Sequence, residues 1–205
     1  MSNNIQQQTT INIQEKANLI WAIADKLVGV YKPHEYGNVI LPMCVIKRFE
    51  DTLAPTKQAV LDTNAKLDKD GIVVKKGFLE TAAGQQLYNL SPFTFQSLLN
   101  DPENIKENFE SYLNHFSENV IDIIHRMDFD RELQKMADNN VLYLVIKEFC
   151  TSKAYLGADL VTSVDMGYIF EELVRKFSES YDEQAGAHFT ARDIIYLCLL
   201  YTSDA

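Results

Sequence analysis

The chain has 205 residues, of which 46% are hydrophobic and 23% are charged, and its formal net charge is −10 at pH 7. These fractions are typical of a soluble globular domain, and no apolar run reaches the about 18 residues that a membrane-spanning helix needs. The basic residues are scattered pairs, so the chain alone is not expected to bind DNA, because neutralising phosphates requires clustered cations.

The first elements predicted in chain order are a flexible arm and two helices. Residues 1–11 are rich in Gln, Asn and Thr, which predicts the arm. Asn12 and Glu15 have the spacing of a capping box at a helix start. Apolar residues then recur at helical spacing at Ile20, Ile23, Leu27 and Val30. The breaker "KPHEYG" precedes the apolar helix "NVILPMCVIKRFEDTL", where Pro42 is expected in the first turn.

Residues 68–92 are the least helical part of the sequence. The runs "IVVKK" and "QLYNLS" are rich in residues that favour strands, and Gly77 and Gly84 lie between them. This pattern predicts either a small β-hairpin or an irregular loop.

From residue 93 the pattern is again that of short helices. Helix starts are predicted at Asp101-Pro102, Ser117, Asp128 and the Thr162-x-x-Asp165 box. An apolar stripe follows the last of these at Ile169, Phe170, Leu173, Val174 and Phe177. The predicted fold is therefore all-α, a bundle of short helices with at most a minor β-hairpin.

No complete active site is evident in the sequence. The four histidines do not fall at i, i+4 spacing, and the cysteines Cys44, Cys150 and Cys198 never form C-x-x-C. Neither a metal site nor a disulfide framework is predicted, and a reducing cytoplasm fits the cysteine usage. The N-terminus lacks the features of a secretory signal. The absence of G-x-G and G-x-S-x-G argues against a nucleotide-binding turn and a serine nucleophile.

One stretch, "GAHFTARDII" at residues 186–195, has the pattern of a ligand-binding helix start. Gly186 can turn the backbone, Phe189 is an apolar anchor, and Thr190 with Asp193 forms a T-x-x-D capping box. Free N–H groups at such a helix start can receive a carboxylate or a phosphate. The simpler interpretation is a well-capped helix without a ligand.

Several segments together resemble the modification (M) subunits of type I restriction-modification systems. The stretch above is similar to that family's "G-x-x-F-T-P-R" segment. Further similar segments, in the same order along the chain, are "YGNVILPMCVIKRFED", "LYNLSPFTFQSLLNDPENI", "NHFSENVIDIIHRMDFDREL" and "MGYIFEELVRKFSE". The resemblance covers about residues 12–198.

The resemblance implies an N-terminal helical domain at residues 12–182. Residues 183–205 would be the joint to, and the beginning of, a doubly wound α/β methyltransferase domain that is truncated here. It also implies a DNA adenine-N6 methyltransferase that uses S-adenosylmethionine. The cofactor-binding residues that it carries over are Ala187, His188, Phe189, Thr190, Ala191 and Arg192.

The resemblance further implies DNA, a specificity subunit and an endonuclease subunit as partners, in the cytoplasm and without a membrane. Two departures are Ala191, where the family has Pro, and Ala187, where it has a polar residue. The glycine-rich loop and the Asn-Pro-Pro-aromatic tetrad of the family are absent from these 205 residues, so the chain alone is expected to be inactive. The alternative hypothesis is a non-catalytic helical module that binds a specificity subunit and DNA within an assembly.

Overall fold

A computed structural model of the chain describes residues 13–181. Within that range the structure is all-α and contains no β-strand, as the sequence predicts. The predicted arm at residues 1–11 and the predicted joint at residues 183–205 lie outside the described residues.

The helices follow one another through short connections. They are α1 (residues 13–22), α2 (Ala24–Leu27), α3 (Tyr36–Leu53), α4 (Lys57–Lys69), α5 (Lys76–Ala83), α6 (Phe95–Leu98), α7 (Ile105–Asn114), α8 (Glu118–Arg126), α9 (Phe129–Asp138), α10 (Leu142–Phe149) and α11 (Ser163–Tyr181). Single 3-10 turns lie at Pro33–Glu35, Ala54–Thr56 and Ser152–Ala154.

Helix α3 runs through the centre of the bundle. It packs against α2, α9 and α11, and its buried apolar residues include Val39, Ile40, Met43, Cys44 and Ile46. The prediction that Pro42 lies in the first turn was wrong, because α3 begins at Tyr36 and Pro42 lies in its second turn. Tyr36, Val39 and Ile40 are all buried, so burial of this face keeps the chain helical on the N-terminal side of the proline.

The β-hairpin considered for residues 68–92 is absent. Helix α4 continues to Lys69, residues 72–75 have no regular structure, and α5 follows and packs against α4. The amphipathic faces of this helical pair bury Val60, Leu67, Leu79 and Ala83. Gly84, with φ of +69°, ends α5 in the left-handed conformation that glycine favours. Val73 and Val74 remain exposed, so the irregular-loop alternative holds for residues 72–75.

The predicted helix starts in the second half are mostly confirmed. Ser117 and Asp128 occupy the N-cap positions of α8 and α9. The prediction at Asp101 was wrong, since α7 begins at Ile105 with Asn104 at its N-cap. The Asp101 carboxylate instead accepts hydrogen bonds from the side-chain amides of Asn104 and Asn108 at 3.0 and 3.1 Å.

Helix α11 begins with the predicted capping box. The Asp165 N–H donates to Thr162 Oγ1 at 3.1 Å, and the Thr162 N–H donates to Asp165 Oδ2 at 2.9 Å. The inner face of the helix buries Met166, Ile169 and Leu173. It packs on α3 and on the 3-10 turn at Pro33–Glu35.

Removing this cap is expected to destabilise the chain by about 1 kcal/mol. A Thr162→Val variant keeps the side-chain shape but loses the acceptor for the Asp165 N–H. The free energy of unfolding from urea titration measures the effect. Thr81→Val is the matched control, because the Thr81 hydroxyl only donates to the Gly77 carbonyl within α5. Equal stability of the two variants would contradict a stabilising role of the cap.

Candidate functional site

The predicted cofactor-binding residues, Ala187 to Arg192, lie outside the described residues. Helix α11 ends at Tyr181, six positions before Ala187. The described structure therefore shows the supports of α11, which leads the chain into the predicted site. Two polar clusters lie on α3: the first supports the start of α11, and the second joins α3 to α6 and α7.

The first cluster is a buried ion pair that faces the loop before α11. Lys47 Nζ lies 2.6 Å from Asp51 Oδ1, and their side chains are only 10% and 7% exposed. The second carboxylate oxygen of Asp51 accepts a hydrogen bond from the Leu156 N–H at 2.8 Å. The pair thus holds the connection between α10 and α11 against α3.

Two further cations hold the same connection through its carbonyl groups. Arg48 Nη1 donates to the carbonyls of Leu156 and Val161, the latter at 2.6 Å. Lys16 Nζ in α1 donates to the Tyr155 carbonyl at 2.7 Å. These bonds satisfy backbone groups of an irregular segment, so they fix the point at which α11 starts.

The second cluster surrounds Glu50. Its carboxylate accepts a hydrogen bond from the Tyr112 hydroxyl at 2.6 Å and from the Phe95 N–H at 3.0 Å. Burial raises the pKa of Tyr112 well above its usual value, and the Glu50 charge acts in the same direction. Lys57 donates to the Phe93 carbonyl, and burial lowers its pKa. These side chains therefore tie α3, α6 and α7 together.

A small cavity lies beside this cluster. It is lined in part by Glu50, Thr56, Asn89 and Tyr112 and has a volume of about 10 Å³. This space holds about one water molecule. The cluster is accordingly a structural junction, and the cavity is too small for a substrate.

A wider groove lies on the surface beside α1. Glu15, Lys16, Asn18, Leu19 and Lys153 line it, and its volume is about 550 Å³. Lys16 is engaged with backbone carbonyls, and the remaining charges are of mixed sign. The groove therefore has no polar arrangement that selects a particular ligand.

The histidines and cysteines of the described residues form no site. Residues 13–181 contain no group of three or more His, Cys, Asp or Glu side chains that could hold a metal ion. Cys44 is fully buried, which raises its thiol pKa, and partial burial raises that of Cys150 to about 11. Both thiols therefore act as small packing residues of the core.

The sequence interpretation missed the polar residues of α3. Lys47 and Asp51 follow the buried Met43 at steps of four, so they continue the apolar face of the helix. A charged pair at i, i+4 in register with buried residues was the available signal. The partners in the loop, 105 positions away in the case of Leu156, could not be found from that spacing.

No helix within residues 13–181 is both long and apolar enough to cross a bilayer.

Comparison with known proteins places the described bundle in a family. The family model described as the HsdM N-terminal domain matches residues 16–149, from α1 to the last residue of α10. No curated protein and no solved structure matches the chain. The matched region contains both polar clusters of α3, apart from the loop at residues 155–161 that the first cluster holds. The chain belongs to the HsdM N-terminal domain family, the family of the N-terminal domains of type I modification subunits.

Proposed function

We propose that this chain is the N-terminal part of a site-specific DNA adenine-N6 methyltransferase that uses S-adenosylmethionine. It would be the modification subunit of a type I restriction-modification complex. The observation that carries the proposal is the family match over residues 16–149. The stretch "FTARD", which the sequence predicts to be a capped helix start, follows α11 closely in the sequence and supports a cofactor site at that place.

The residues from Ala187 to Arg192 are proposed as the first edge of the cofactor site. A helix start at Thr190 would present N–H groups to the cofactor carboxylate, and Phe189 would supply apolar contact. The cofactor supplies the methyl group. In the complete enzyme the target adenine would be flipped out of the duplex, and catalysis would rest mainly on positioning it.

The proposed partners are DNA, a specificity subunit and an endonuclease subunit. The net charge of −10 means that the cations for phosphate binding must come in large part from other parts of the complex. The described bundle contributes helices and a loop in which the apolar side chains of Val73 and Val74 are exposed. This loop supports the second candidate, a helical interaction module, because two adjacent exposed apolar side chains are available for contact with a partner.

The test uses the protein with its methyltransferase domain and isothermal titration of S-adenosylmethionine. Thr190→Val removes the proposed cap and should raise the cofactor Kd by about fivefold, which corresponds to about 1 kcal/mol. Phe189→Ala should raise the Kd through lost apolar contact. Thr162→Val, which removes the cap of α11 instead, is the control and should leave the Kd unchanged.

Cofactor affinity equal to wild type in both variants would show that residues 187–192 form only a capped helix. Methyl transfer from labelled cofactor to adenine in DNA distinguishes the two candidate functions. The enzyme requires this transfer, whereas an interaction module binds its partner subunits without it.

A further inference from the structure

We draw no further inference here: the strongest candidate, the exposed loop between α4 and α5 that carries Val73 and Val74, is followed directly by Lys75 and Lys76, and nothing in the part of the chain that the structure describes shows what partner covers it.

Discussion

Replacing Asp51 with alanine is expected to lower the free energy of unfolding by about 3–5 kcal/mol. The substitution leaves the Lys47 ammonium buried without its 2.6 Å partner, and it leaves the Leu156 N–H without its acceptor. Removing one member of a buried pair costs far more than the pair contributes, because the remaining charge has lost both water and its counter-ion. Urea titration followed by circular dichroism measures the change.

The control is Asp68→Ala, in which the lost partner of Lys75 is a carboxylate with 60% exposure. Exposed pairs contribute about 0–1 kcal/mol, so this variant should be nearly as stable as wild type. Replacing Lys47 and Asp51 together by methionine and leucine should recover part of the stability, because no buried charge remains. The Leu156 N–H still lacks its acceptor in that variant. If Asp51→Ala costs no more than Asp68→Ala, the pair does not anchor the loop.

Replacing Phe95 with alanine is expected to destabilise the bundle by a similar amount, about 3–5 kcal/mol. Phe95 is 1% exposed, and its ring meets those of Phe109, Tyr112 and Phe149 edge-on at centroid distances of 5.7, 5.9 and 6.5 Å. The substitution opens a cavity at the contact of α6, α7 and α10. Thermal or urea unfolding measures how much unfolding free energy the variant loses.

Phe78→Ala makes the same chemical change at a side chain with 54% exposure. Only a small cavity forms at this exposed position. The loss of unfolding free energy should therefore stay well below that of Phe95→Ala. The difference between the two variants measures burial alone, since the deleted atoms are identical. Comparable losses would indicate that the aromatic cluster is not the packing centre of the bundle.

The sequence by itself determined the all-α class, three helix starts in the second half of the chain, and the family. Ser117, Asp128 and the box formed by Thr162 and Asp165 act through hydrogen bonds or backbone preferences within about four residues. The information for these features is therefore local, and they appear in the structure where the sequence predicts them. The segments that resemble type I modification subunits likewise lie in order along the chain, and the family match over residues 16–149 confirms the resemblance for the three segments within that range.

Only the tertiary structure decided which local alternatives prevail. The β-capable run at residues 72–75 forms no strand, because α4 and α5 bury their own apolar faces against each other and leave Val73 and Val74 in solvent. Burial of the start of α3 places Pro42 inside that helix. The pairing of Asp51 with Leu156 joins residues 105 positions apart. Residue spacing carries information about neighbours on one helix, whereas contacts between distant segments depend on how all the helices pack together.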